Sequence, residues 1–312
     1  MKKYVLNYYP KFKCIADKCE HTCCAGWEMC IDSESLEKYQ TEKSDFSQAL
    51  NKGINYKKSR FKTDKIKRCA FLNEKGLCDI IINLGEQSLC QVCRDHPRFR
   101  SYFDDRTETG LGFCCEEVAR IILSFNGKIE LVLVSDDGEQ VELDFNQKNV
   151  LNFRDKVLKI LQDRLLSVND RIDNILKECN ANFSQQDFKK IIKTFLSFER
   201  VDKSWAKRLK AIDKVFNKTT AENLSHYCEQ FLVNSVYRHL SDAEDTMWVR
   251  ARTISTVFSW WIIKSIIEKE QEQNKDNFDL IVDIIRAYST EVEYSQKNLD
   301  KLYLFAYKFI KI

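Results

Sequence analysis

The stretch CEHTCCAGW sets Cys19, Cys23 and Cys24 within six positions, two of them adjacent. Eight more cysteines, Cys14, Cys30, Cys69, Cys78, Cys90, Cys93, Cys114 and Cys115, share the early part of the chain with them, while Cys179 and Cys228 stand apart downstream. Thiols at this density have three uses. As disulfides they would staple a domain, but the N-terminus MKKYVLNYYPKFKC has neither the apolar core nor the cleavage site of a signal peptide. The expected compartment is therefore the reducing cytoplasm, which disfavours disulfides. As inert buried groups they would explain isolated cysteines better than a concentration of them. Metal ligation accounts for the density.

Two kinds of metal suit the pattern. Structural zinc takes paired ligands from tight knuckles, and Cys90-Gln-Val-Cys93 forms one such pair, with Cys19 and Cys23 as a second. Four thiolates equally suit an iron–sulfur cluster. Only four histidines occur in the chain, so any site is nearly all sulfur, which leans towards iron–sulfur. His21 and His96 are the histidines placed to replace a thiolate. Arg94 and Arg98, in CRDHPR, could balance a cluster's negative charge, and Trp27 could cover the site and keep water out.

The elements that must position these residues differ between the two parts of the chain. All eight glycines and both prolines, Pro10 and Pro97, lie at or before Gly138. The remainder lacks both helix breakers. The grammar divides the chain into a cysteine-rich metal-binding region, 1–145, and an all-helical region, 146–312, and the expected fold class is mainly α. The first region reads as short helices and loops pinned by cysteines, closing in a hairpin where apolar and polar residues alternate on both sides of Asp136-Asp137-Gly138.

In the second region, residues 150–179 repeat apolar side chains every three or four positions, and Ser184 is placed to cap the helix that follows. Later helices are expected near 201–217, 220–241, 244–270, 276–290 and 293–311, with residues 270–277 as a loop and Trp260-Trp261 in the core. Cys179 and Cys228 read as plain buried thiols, and His226 and His239 as ordinary helix residues. The net charge of +3 gives no reason to expect a nucleic-acid partner, and the longest apolar run, TVFSWWIIKSII, is too short to span a membrane.

The cysteine-bearing stretches resemble the flagellin lysine-N-methylase family. CIADKCEHTCCAGWEMCID is similar to its opening signature, C-x4-C-x3-C-C followed by a small residue and Trp. CAFLNEKGLCDIIINLGEQSLCQVCRDHPR resembles its second and CEEVAR its third. The family pattern falls on Cys14, Cys19, Cys23, Cys24, Cys69, Cys78, Cys93 and Cys115, leaving Cys30, Cys90 and Cys114 as extras. Ala70, Glu116 and His96 depart from it without removing a thiolate.

The resemblance implies a cytoplasmic enzyme with one or two [4Fe–4S] clusters that uses S-adenosylmethionine to methylate lysines of flagellin, its protein substrate. The residues themselves leave alternatives open: a non-catalytic iron–sulfur protein, or a structural zinc protein. The usual methyltransferase equipment is missing. The only glycine-rich loop, TGLGF at 109–113, lacks βαβ surroundings. The C-x3-C-x2-C motif of radical enzymes fits Cys19 and Cys23 but meets Gly26 at its third place. Methyl transfer would also need a neutral lysine amine, and Glu20, Glu28, Glu86, Glu116 and Glu117, beside cysteines or within the signatures, are the candidate proton acceptors.

Overall fold

The computed structural model describes residues 1–139, 141–200, 203–212, 217–271 and 277–311. The chain falls into two compact units: Lys13–Arg98, and Met1–Phe12 together with Phe99–Ile312. The change of composition at 145/146 lies inside the second of these. The first strand, β1 (Lys2–Leu6), opens the larger unit before the smaller one begins.

The smaller unit has little regular structure. Its elements are α1 (Ser33–Thr41), α2 (Ser47–Gly53), β2 (Ile54–Asn55), β3 (Arg60–Phe61), α3 (Asp79–Leu84) and α4 (Gln91–Asp95). Strands β2 and β3 pair antiparallel. Around them Met29, Ile31, Leu50, Phe61, Phe71 and Ile80 build a small core that also takes in Cys69 and Cys90. Asp32 ties two ends of it together. Its Oδ1 accepts the Ser35 N–H and caps α1, while its Oδ2 accepts the Gln91 N–H at the start of α4.

In the larger unit β4 (Arg98–Tyr102), β5 (Arg106–Leu111) and β6 (Leu131–Ser135) join β1 in a sheet of order β4-β5-β1-β6. Strand β1 runs parallel to β5 and antiparallel to β6. The expected hairpin about Asp136–Gly138 does not form: β6 pairs with β1, and residues 141–144 make no strand. The reason lies in the residues that follow. Asp144 accepts the Gln147 N–H and caps a helix, so the segment ends as a helix entrance. Strand β6, LVLVS, lies at the edge of the sheet with much of its side-chain surface in solvent.

Helices carry the rest: α5 (Glu116–Leu123), α6 (Phe145–Leu161), α7 (Val168–Glu178), α8 (Gln185–Leu196), α9 (Lys203–Ala211), α10 (Ser225–His239), α11 (Thr246–Gln271), α12 (Phe278–Tyr288) and α13 (Gln296–Tyr307). The long periodic stretch 150–179 is two helices, since Ser167 caps α7 afresh. Ser184 caps α8 as expected, in a capping box with Asp187. The ends of the helix expected at 201–217 and most of the loop expected at 270–277 lie outside the described residues.

Helix α11 packs against α13, α10, α12 and α6. It is buried on every side from Thr253 to Lys264, as a core helix is. Trp260 and Trp261 are buried in it as expected, and Cys179 and Cys228 are buried too. Lys264 survives there because its ammonium donates to the carbonyls of Asn217 and Thr219 and faces Glu268 at 3.3 Å. Among the described residues no helix is long and apolar enough to cross a membrane.

Candidate metal centre and a buried polar network

The adjacent cysteines sit where the chain of the smaller unit doubles back on itself. Gly26, at φ +94°, provides a left-handed bend just after them, and its N–H donates to the Lys67 carbonyl. Ala25 bridges Arg68, and the Cys69 N–H donates to the Cys24 carbonyl at 2.9 Å, which sets Cys24 beside Cys69. The Asn73 side chain then closes a turn by accepting the N–H groups of Lys75 and Leu77, and Leu72 bridges Cys78. The chain continues through α3 to Cys90 and Cys93, at the start of α4.

Five thiols thereby come within electrostatic reach of one another. Burial pushes Cys69 up to about 12, with Cys24, Cys78 and Cys90 adding to the shift. Burial also raises Cys78, and Cys24 contributes. Cys93 is raised by donating its proton to Cys90, by burial, and by the charges of Cys90, Cys24 and Cys69. Cys90, the acceptor, is lowered by that bond against the cost of burial. Cys24 is lowered to about 7, first by its hydrogen bond with Cys23, against burial, with Thr22 and Arg68 assisting.

The surroundings differ in part from the expectation. Trp27 is half-buried against the small core and donates its indole N–H to the Cys23 carbonyl at 2.7 Å. The cation beside Cys24 is Arg68, which sequence reasoning passed over. Arg98 instead donates to the Arg94 carbonyl, and Arg94 lines a cleft of about 230 Å³ with Glu34, Lys38, Tyr39 and Glu42. Tyr39 links that cleft to the thiols, since burial and the charges of Cys90 and Cys93 raise its hydroxyl. Glu28 is engaged by Arg60.

Of the eight cysteines expected as ligands, Cys24, Cys69, Cys78 and Cys93 belong to this group, and Cys23 adjoins it through Cys24. Cys14 is exposed, and Cys19 is half-buried at the end of a short 3-10 helix, Ala16–Lys18. Cys115 belongs to the larger unit, where it precedes α5. Cys90 is the member that the family pattern omits, and its C-x2-C spacing to Cys93 was the available signal.

The donor chemistry fits a soft metal: the group is all sulfur, and five thiols exceed the four that one zinc ion or one cubane cluster requires. As placed, the thiols form a neighbourhood rather than a closed coordination sphere. Among the described residues no three His, Cys, Asp or Glu side chains stand together in metal-holding geometry.

The larger unit contains a second concentration of chemistry. Helix α12 runs into a π-turn, Ser289–Glu293, a geometry often found at functional positions. The π-turn delivers the Glu293 carboxylate to the end of α10, 2.9 Å from His239 Nε2 and 3.4 Å from Arg238. Ser289 donates to the same carboxylate, and the Tyr303 hydroxyl lies 3.0 Å from His239 Nδ1. Burial opposes ionisation of Glu293, yet Arg238, His239 and Ser289 together hold it at about 2.

The Arg238 guanidinium lies over the Tyr294 ring at 4.9 Å and the Phe99 ring at 5.8 Å. It also packs so close to Gly112 that a Cβ there would stand 2.2 Å from its Nη1. The glycines of TGLGF are thus sites of close packing, with Phe99 against Gly110 and Arg238 against Gly112. Cys114, pushed up to about 12 by burial, faces Arg238 and Tyr294. Sequence reasoning missed this network, because Glu293 reads there as one of many acidic residues on a helix.

Comparison with known proteins places these features in a family. Residues 111–308 match the FliB lysine N-methylase C-terminal domain. A lysine-N-methylase of Salmonella typhimurium is 26% identical over 125 residues, covering 38% of this chain and 31% of that protein. A lysine-N-methylase of Salmonella choleraesuis is 27% identical over 121 residues, covering 36% of this chain and 30% of that protein. The flagellar biosynthetic protein FliU of Salmonella muenchen is 27% identical over 121 residues, 36% of this chain and 72% of that protein. The chain thus covers about a third of the length of the two lysine-N-methylases. No solved structure matches it. With the greater part of its length, including the whole Arg238–His239–Glu293 network, inside the matched region, the chain belongs to the FliB lysine N-methylase family.

Proposed function

We propose that this protein is an S-adenosylmethionine-dependent lysine N-methyltransferase acting on flagellin, and that its smaller unit holds a [4Fe–4S] cluster. The observation that carries the activity is the family match over residues 111–308, supported by relatives named lysine-N-methylase and a flagellar biosynthetic protein. The convergence of Cys24, Cys69, Cys78, Cys90 and Cys93 supports the cluster. In this reading three of those five supply its thiolates. Cys14, Cys19 and Cys23 are the further thiols of the smaller unit in the cysteine pattern.

When bound, a cluster with one iron free of protein ligands would hold the amino and carboxylate groups of the methyl donor. The chain's own residues do the rest. Arg68 offsets the negative charge gathered around Cys24. Trp27, Met29 and Phe71 give the thiols an apolar wall that excludes water. The attacking lysine amine must be neutral, so its proton passes to a carboxylate or to water before the methyl moves.

The test is incubation of anaerobically purified protein with flagellin and S-adenosylmethionine, followed by mass analysis of flagellin peptides. Lysine peptides heavier by whole methyl increments support the reading. An unchanged flagellin in the presence of a protein that retains its metal would leave the non-catalytic metal-binding alternative.

A further inference from the structure

Residues 52–68 of the smaller unit, KGINYKKSRFKTDKIKR, carry eight lysines and arginines against one aspartate, in a chain whose net charge is only +3. The rest of the protein is therefore slightly acidic in sum, while this ribbon, built on the β2–β3 pair, is strongly basic. Its turns are held by internal hydrogen bonds. Asn55 accepts the Lys58 N–H, and Ser59 adopts φ +45°. Asp64 accepts the N–H groups of Ile66 and Arg68, both at 2.9 Å, and Lys67 adopts φ +58°.

The only acid of the ribbon is thus committed to its own turn. The two arginines are engaged as well, Arg60 by Glu28 and Arg68 by the Asn73 carbonyl. Lys62 donates to the Lys52 carbonyl. Lys52, Lys57, Lys58, Lys65 and Lys67 are exposed, and none makes an ion pair among the described residues. Between the last two, Ile66 stands 75% exposed. Two turns bearing unpaired ammonium groups, the second with Ile66 exposed between Lys65 and Lys67, are not needed to hold this fold. They do fit a partner.

We propose that the ribbon Lys52–Arg68 is a docking surface for an acidic segment of a protein, which places carboxylates on Lys57, Lys58, Lys65 and Lys67 and an apolar side chain on Ile66. A protein fits better than a nucleic acid. The ribbon offers no free guanidinium fork for phosphates, and its aromatic residues, Tyr56 and Phe61, are half-buried and buried rather than open for stacking on bases. This inference does not rest on the methyl-transfer reading.

The test uses the whole protein and a fluorescent peptide of glutamate and aspartate residues around one central leucine, followed by anisotropy. Binding is expected to weaken as salt rises, and to fall at least ~tenfold when Lys57, Lys58, Lys65 and Lys67 are together changed to Glu. The same four changed to Gln should give an intermediate loss, and Ile66→Ser a loss that salt does not alter. Lys189→Glu with Lys193→Glu, on the exposed face of α8, should leave binding unchanged. Circular dichroism of each variant establishes that it is folded. The proposal is overturned if the peptide does not bind, if the four-lysine variants bind it as well as the parent does, or if a single-stranded oligonucleotide of equal charge binds more tightly than the peptide.

Discussion

A thiol hydrogen bond joins Cys90 and Cys93, the C-x2-C pair in the thiol group of the smaller unit. Replacing either Cys24 or Cys90 by Ser should cost the purified protein most of its metal, read by elemental analysis, whereas Cys179→Ser, at a buried thiol of the larger unit, should retain it. Equal metal in all three variants would remove the five-thiol assignment. Glu293 is the decisive residue of the larger unit. Its carboxylate is held ionised down to about 2, below the unfolded value of ~4.3, so its stabilising contribution is present above that unfolded value and is lost as pH falls towards the folded one. Glu293→Gln leaves the Arg238 charge buried without its partner, which should cost roughly 3–5 kcal/mol at neutral pH. Urea unfolding should therefore show a parent whose stability falls steeply between about pH 5 and pH 2, and a variant with a shallower slope. Parallel slopes would mean that Glu293 is not the titrating group. The thiols were legible because cysteine spacing is a local signal. Glu293 was not, since its meaning depends on Arg238 and His239, more than fifty positions away.

At the scale of elements, caps were readable and pairings were not. Ser184 and Asp187 announce α8 within four residues. The partner of β6, by contrast, is β1, far upstream, and no local pattern separates an edge strand paired there from the first arm of a hairpin. Asp32 is an element-level device, since one carboxylate caps α1 and also holds the first N–H of the helix that carries Cys93. Asp32→Ala should lower the stability of the smaller unit by about 1–2 kcal/mol, the cost of a lost helix cap, and should loosen metal binding, measured as faster loss of metal to a chelator. Asp32→Ala with an unchanged release rate would separate the cap from the site. The close approach at the end of β5 gives a companion test. Gly112→Ala sets a methyl against the Arg238 guanidinium and should destabilise the larger unit by about 1–3 kcal/mol in urea unfolding.

For the whole molecule the main fact is an insertion: Lys13–Arg98 interrupts the larger unit between β1 and β4 in chain order. Sequence composition placed the divide at 145/146, because glycine and proline mark where helices dominate rather than where compact units end. A parallel strand contributed from before the insertion leaves no compositional trace. The two units should respond differently to metal. The larger one has an extensive apolar core of its own, while the smaller has a few short elements around a small core, to which a bound metal would add stability. Exhaustive chelation under reducing conditions should lower the unfolding temperature of the smaller unit and leave the helical signal of the larger one in place.

The most direct measurement is the amount of iron and acid-labile sulfide per chain in anaerobically purified protein, taken for the parent and for Cys24→Ser with Cys93→Ser. Iron and sulfide in matching amounts in the parent, both lost in the double variant, is the result this account predicts. Stoichiometric zinc without sulfide, or iron that survives loss of both thiols, would contradict it.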